Sequence, residues 1–401
     1  MERGVDLLLV AGEASGDLHG GRLLAALRRL VPGLRPFGLG GDEMRAAGLA
    51  AVAHSREVAV VGIAEVLKVL PRARQVFAAL LAEVERRRAR AAVLIDFPEF
   101  NLRLARELKR RGVHVVYYVS PQVWAWRRRR VETIAERVDE MLVLFPFEAE
   151  FYRGAGVTVR HVGHPLVDEV PRLPQAWDEG PPPAGAPYRI ALLPGSRPSE
   201  VEPLLPRMLE TVRLLARELP VEARLIQAPT IPRELLEEEI ALSGLPVRIV
   251  AEDRFAAVAG SHLALCASGT ATLEVGLLGT PLIVLYHLQL ASYLLGRLLV
   301  RLPWVSLVNL VLGRKVVPEL IQRQTAPARV AREAARLLRD PAAVAAMRQG
   351  LAELRGRLGE GGATERAAEE VVAALVRTGL LPTPPGTVTW PQEAAAPEVA
   401  S

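Results

Sequence analysis

The chain has 401 residues, half of them apolar and 24% charged, with 50 Lys plus Arg against 45 Asp plus Glu. That length exceeds one ordinary core and predicts two domains, and the balance excludes a disordered chain. The single cysteine, Cys266, excludes an intrachain disulfide and fits a reducing compartment.

Lysine occurs only at Lys68, Lys109 and Lys315, so the basicity is almost all arginine. Genomic composition bias accounts for that, as does affinity for phosphates or anionic lipid surfaces. The N-terminus, MERGVDLLLVAGEASGD, lacks the basic start and long apolar middle of a signal peptide. No uncharged apolar run reaches the roughly 18 residues that a membrane span needs.

Apolar runs alternate with helical spacing from the start. The first half predicts strands at 5–11, 91–97, 113–120, 140–145 and 158–163. A helical pattern such as FNLRLARELKRRG (100–112) lies between them, closed by a glycine. Residues 171–187, PRLPQAWDEGPPPAGAP, are dense in proline and glycine and read as a linker. Alternation restarts at 188–197 and continues through 222–229, 246–251, 261–269 and 280–288. Residues 326 to about 377 read as helical, and the last residues, from Leu381, as a disordered tail.

Continuous apolar strands alternating with helices predict parallel sheets covered on both faces. The expected fold is α/β: two Rossmann-like doubly wound domains facing a cleft. The expected boundaries are 1–170, a linker at 171–187, 188–380 and a tail at 381–401. Ligands then lie beyond the carboxyl ends of the strands.

The second domain holds the stronger signals. LLPGSRPSEV (192–201) ends a strand, turns through Pro194-Gly195 and starts a helix near Ser199. Ser196, Arg197 and the turn amides suit a diphosphate, or form an ordinary turn with a surface arginine. In CASGTATLEVGLLGTP (266–281), Ser268, Gly269 and Thr270 open a helix whose free N–H groups suit an anion. Glu274 lies one turn further on the same face and suits ribose hydroxyls. The competing reading is a capped helix with one solvated glutamate.

In the first domain, VLIDFPEFN (93–101) puts Asp96 at the end of a buried strand. It is either a general base for a hydroxyl nucleophile or a cap for the next helix; Glu99 is a second candidate cap. YYVSPQVWAWRRRR (117–130) places Ser120 and Gln122 near the same edge. Trp124 and Trp126 either stack on a sugar or brace the loop. The block Arg127–Arg130 reads as a solvated helix start or a phosphate contact. Two oily stretches, 58–74 and 287–315, are either core or apolar surface edged with arginine that suits acyl chains. No Asp-x-Asp pair, P-loop or clustered His/Cys spacing occurs, so neither a metal nor a cofactor is expected.

The segments VAGEASGD, VVGIAEVL, IDFPEFN, YYVSPQVWAWRRRR, FPFE, VGHPL, LLPGSRPSEV, ASGTATLE and VSLVNLVLGR occur in register over about residues 5–375. In this the chain resembles the lipid-A-disaccharide synthases. The resemblance implies a GT-B glycosyltransferase that transfers 2,3-diacylglucosamine from its UDP derivative to the 6-hydroxyl of 2,3-diacylglucosamine 1-phosphate. The product is the β-1,6-linked disaccharide 1-phosphate, formed with inversion, and UDP. It also implies a cytoplasmic protein peripheral to the inner membrane, without nucleic acid, and a homodimer that exchanges C-terminal segments.

By the same resemblance Asp96 is the base or orients the acceptor hydroxyl. Arg197 faces the diphosphate, Ser268, Gly269, Thr270 and Glu274 match the family's second donor motif, Ser196 and Glu200 are counted with them as UDP-sugar-binding, and Asn309 lies near the nucleotide or the dimer partner. The chain departs from the family pattern at Val308, Glu99 and His287.

The turn VAGEASGDLHG (10–20) then falls on the acceptor side. Gly12 and Gly16 allow close approach, Ser15 is placed to cap the helix, and Glu13 and Asp17 bind sugar hydroxyls or set local hydrogen bonds. The alternatives are another UDP-sugar GT-B transferase, a UDP-sugar epimerase, or a nucleotide-sugar-binding protein without catalysis.

Overall fold

The computed structural model describes residues 4–58, 66–123, 130–288 and 302–382. Outside them fall Trp124, Trp126, Arg127–Arg129, most of the VVGIAEVL segment, the centre of the second oily stretch and nearly all of the expected tail.

Among the described residues thirteen strands form two sheets. The first contains β1 (Val5–Ala11), β2 (Leu34–Gly40), β3 (Ala50–His54), β4 (Ala91–Ile95), β5 (His114–Tyr118), β6 (Glu140–Val143) and β7 (Val159–His161), in the order β3-β2-β1-β4-β5-β6-β7. The second contains β8 (Tyr188–Leu193), β9 (Val221–Ile226), β10 (Val247–Val250), β11 (Leu263–Ala267), β12 (Leu282–Tyr286) and β13 (Glu319–Ile321), in the order β10-β9-β8-β11-β12-β13. The pairings described are parallel.

Burial explains the strand composition. Leu7 to Ala11 of β1, Val93 to Ile95 of β4 and Leu263 to Cys266 of β11 are almost wholly buried. Strands covered on both faces read as continuous apolar runs. The order reverses between β1 and β4 in one sheet and between β8 and β11 in the other. Such switch points open a crevice at the carboxyl ends of the strands.

Three strands were not expected. In β2, LRPFGLG, a proline and two glycines interrupt the apolar run, yet it lies between β3 and β1. In β3, AAVAH, small residues give little signal, and β13 has only three residues. After Ala326 the chain is helical as expected, over Pro327–Leu338, Pro341–Leu358 and Ala363–Arg377.

The chain divides into two compact units. One is Met1–Tyr118 with Arg137–Asp139 and the residues from Glu365; the other is Val119–Glu136 with Glu140–Thr364. In the first, Arg29 pairs with Glu365 of the last helix at 3.2 Å. In the second, the Pro/Gly-rich segment is packed: Trp177 is buried and its Nε1–H donates to the His262 carbonyl at 2.7 Å. Arg348 ties down the same segment by donating to the Trp177 carbonyl at 3.1 Å and to Gln175 Oε1.

One carboxylate of the first turn is structural. Asp17 is 6% exposed and accepts N–H bonds from Gly41 at 2.6 Å, Glu43 at 3.0 Å and Met44 at 3.2 Å. It thereby caps the short helix Asp42–Ala46, supplying a negative charge to its N-terminus. Removing it leaves three donors short of an acceptor. Asp17→Ala is expected to lower unfolding free energy by about 2–4 kcal/mol in denaturant titrations. A loss below about 0.5 kcal/mol, the range of an ordinary surface substitution, would contradict this role.

Candidate active site

The first sheet builds a carboxylate corner at its switch point. β4 ends at Ile95, and the next two residues, Asp96 and Phe97, take left-handed backbone angles, φ 48° and 51°. Non-glycine residues in that region cost of order 1–3 kcal/mol each and persist only where the surroundings fix them. Here they do. The Asp96 N–H donates to the Tyr118 carbonyl at 3.1 Å. The Asp96 carbonyl accepts from the Tyr117 hydroxyl at 2.5 Å and from Asn101 Nδ2 at 2.8 Å. Asn101, fully buried, also donates to the Ile95 carbonyl at 3.2 Å.

The corner brings Asp96 against the turn after β1. A Cβ on Gly16 would lie 3.8 Å from Asp96 Cβ, and one on Gly12 would strike the Phe97 ring at 2.2 Å. Gly12 is thus the close-approach position that lets Phe97 cover the turn. Gly16 has ordinary room and is not needed in that sense. Glu13 is exposed and is the N-cap residue of helix Ala14–Leu30, though its side chain makes no capping bond. Ser15, expected to cap, is exposed within the first turn and does not, because the helix begins one residue before it.

Asp96 does not cap the following helix either. Phe97 holds that position and Pro98 fills the first helical turn, where no N–H is needed. The Asp96 carboxyl group is instead pushed up to about 6. Burial is the main cause, the Glu13 carboxylate adds to it, and the Phe97 amide opposes both.

In the second unit, Val119 also has positive φ, 64°, an unusual angle for a β-branched residue. Ser120 follows it and is buried; its hydroxyl donates to Glu148 Oε1 at 2.6 Å. Glu148 Oε2 accepts the Phe145 N–H at 3.1 Å, and the Tyr152 hydroxyl donates to the Pro121 carbonyl at 3.1 Å. Ser120, expected to face the acceptor, therefore anchors its own loop. Gln122 is exposed.

The second sheet's switch point gathers the expected donor-side residues. After β8 the turn Pro194–Arg197 leads into helix Pro198–Leu215, with Arg197 as N-cap residue and its side chain 76% exposed. Glu200 Oε2 accepts the Ser196 N–H at 3.0 Å. After β11, Gly269 at φ 154° is the N-cap residue of helix Thr270–Leu277. The first amides of that helix have no intrahelical acceptor and carry the positive end of its dipole. Ser268 donates its hydroxyl to the Val305 carbonyl at 2.9 Å. Glu274 is half-buried, with its carboxyl group raised by burial while Arg254, 3.7 Å away, opposes the shift.

Asn309, expected near a nucleotide or partner, is fully buried and spends its amide internally. Its Oδ1 accepts from the Val316 and Val317 N–H groups at 2.7 and 3.0 Å; its Nδ2 donates to the Val317 carbonyl and to Glu319 Oε1 at 3.0 and 2.8 Å. Glu319 in turn accepts from Val305 N and Ser306 N at 3.0 and 2.9 Å. Asn309 thus supports the strand of chain that holds Ser268. Glu319, Glu148 and Asn101 were not singled out from sequence, because a buried bracing side chain has no local pattern. Among the described residues no group of three or more His, Cys, Asp or Glu is placed to hold a metal.

Comparison with known proteins identifies the family and the fold. A family model described as lipid-A-disaccharide synthetase matches residues 7–372. The lipid-A-disaccharide synthase of Myxococcus xanthus is 47% identical over 394 residues, covering 95% of this chain and 98% of the relative. That of Geobacter sulfurreducens is 41% identical, covering 92% and 97%. Among solved structures, Acinetobacter baumannii MurG superposes with a TM-score of 0.58 at 13% identity, covering 92% of this chain and 99% of that one. The Staphylococcus aureus MnaA–UDP structure gives 0.60 at 12%, covering 96% and 100%. At such identities these likenesses concern the fold, which is of the GT-B class with two Rossmann-like domains. The chain belongs to the lipid-A-disaccharide synthase family and is a glycosyltransferase.

Proposed function

We propose that Asp96 is the general base of an inverting transfer of 2,3-diacylglucosamine from its UDP derivative to the 6-hydroxyl of 2,3-diacylglucosamine 1-phosphate. The observation that carries this is the Asp96 corner: a carboxylate at a switch point, fixed by three main-chain bonds and titrating at about 6. Such a group is mostly ionised near neutrality yet basic enough to take a proton from an attacking hydroxyl. Inversion needs one displacement: the 6-oxygen bonds to the anomeric carbon, its proton passes to Asp96, and the bond to UDP breaks. Glu13, exposed beside Asp96, hydrogen-bonds acceptor hydroxyls.

On the donor side, Arg197, Ser196 and the amides following Gly269 take the diphosphate, and Glu274 accepts the ribose hydroxyls. Residues 1–170 form the acceptor domain and 188–380 the donor domain. The amphiphilic substrates favour a protein peripheral to the cytoplasmic face of the inner membrane, and the family resemblance favours a homodimer. Among the described residues no helix is long and apolar enough to cross a membrane, which suits peripheral association.

Purified protein is expected to release UDP from UDP-2,3-diacylglucosamine only when the lipid acceptor is present. Conversion of the UDP-sugar to its epimer without net UDP release points to the epimerase alternative, and no UDP with both substrates present rejects the transferase. Asp96→Asn is expected to lower kcat by roughly 10²–10⁴-fold, the usual worth of a general base, with UDP affinity within about twofold of wild type. Loss of UDP binding would remove Asp96 from the acceptor side. Because the active form is the carboxylate, kcat/KM is expected to fall as pH drops through about 6 and to level off above it. A profile flat from pH 5 to 7, roughly one unit either side of that value, would contradict the base.

A further inference from the structure

Glu200 lies at the donor turn but is poorly suited to touch the donor. A carboxylate in contact with a diphosphate sets like charges together, which opposes binding. The geometry gives it another task. Both main-chain polar groups of Ser196 are taken by side chains: its N–H donates to Glu200 Oε2 at 3.0 Å, and its carbonyl accepts from the Thr230 hydroxyl at 2.6 Å. The other Glu200 oxygen lies 3.4 Å from Arg197 Nη1.

The Glu200 side chain also lies directly over Gly195. That residue has φ 131°, and a Cβ there would come within 2.6 Å of Glu200 Cβ and Oε2. Glycine is therefore demanded twice, by the backbone angle and by the carboxylate covering it. The glutamate's charge reaches Tyr286 at the end of β12, whose hydroxyl is raised by burial first and by Glu200 second. Glu200 thus covers Gly195 in the turn after β8, close enough to the end of β12 to act on Tyr286, while the Arg197 side chain stays 76% exposed.

We propose that Glu200 and Thr230 are positioning residues that fix the Gly195–Arg197 turn, so that the Ser196 hydroxyl and the Arg197 guanidinium face the diphosphate. This rests on the donor-side reading given above. Thr230 comes from the connection after β9, a segment in which the sequence carries no recognisable motif. The Ser196 N–H is already engaged, so it is not one of the phosphate donors; the hydroxyl and the guanidinium are.

The test is UDP affinity by titration calorimetry on the full chain, with kinetics and thermal melts of each variant. Wild type is expected to bind UDP; if it does not, the donor-side reading itself fails. Glu200→Ala is expected to weaken UDP binding about tenfold, the scale of one lost charge-assisted hydrogen bond. The effect should fall on donor KM, with kcat within about twofold, because the turn binds but does not react. Glu200→Gln should restore affinity to within about threefold, since its amide oxygen still accepts the Ser196 N–H. Thr230→Val, of similar shape, should weaken binding about threefold.

In the Arg197→Ala background, Glu200→Ala should weaken binding clearly less than it does in wild type, because part of its effect passes through Arg197 and only the Ser196 part remains. A merely structural brace would lower the melting temperature and add to Arg197→Ala. Wild-type affinity in Glu200→Ala or Thr230→Val, or full additivity with Arg197→Ala, overturns the proposal.

Discussion

The left-handed corner at Asp96 and Phe97 is the constraint on which the proposed acceptor side depends. A strand that continued straight would carry the Asp96 side chain past the sheet edge into water. Two successive positive φ angles turn it back against the first turn of helix Ala14–Leu30. That conformation is costly, and the fold meets the cost with bonds to both the N–H and the carbonyl of Asp96. The result is a carboxylate short of water and close to Glu13, which is why its proton affinity rises.

The proposed donor side follows a different physical scheme. Its groups sit at the starts of two helices, where amides without intrahelical acceptors are supplied by the backbone itself. Side chains there mostly hold main chain in place. Ser268 is tied to Val305, Val305 and Ser306 to Glu319, and Glu319 to Asn309. The Ser196 peptide is held by Glu200 and Thr230. Arg197 is left exposed, 3.4 Å from Glu200 Oε1. Braced main chain with one exposed guanidinium suits the diphosphate proposed for this site.

The sequence made the architecture legible because central strands buried on both faces leave unbroken apolar runs, and ten of the thirteen described strands read as strands, the more exposed β7 and β10 by their place in the alternation. Those that did not have physical reasons: Pro36, Gly38 and Gly40 break β2, alanines make β3 faint, and β13 is three residues long. Asp96, Arg197 and Gly269 were recognisable because each ends or follows a strand at a turn. What sequence cannot show is where a polar side chain points. Asp17 turns inward to cap Asp42–Ala46, Ser120 turns to Glu148, and Asn309 turns into the core. Each has the residue type of a ligand contact, and each is spent on backbone or a buried partner through contacts distant in sequence.

Glu13 and Asp17 show the distinction within a single turn of chain. Four residues apart, they lie on one side of the same helix start, yet one is exposed beside Asp96 and the other is 6% exposed beneath Gly41. Only the exposed one raises the proton affinity of Asp96. The most direct test is a carboxyl-carbon NMR titration of ¹³C-aspartate-labelled protein, with the Asp96 signal assigned by its absence in Asp96→Asn. The account predicts a midpoint at about 6 that moves downward in Glu13→Gln. A midpoint near the ordinary aspartate value of about 4, unmoved by Glu13→Gln, would contradict it.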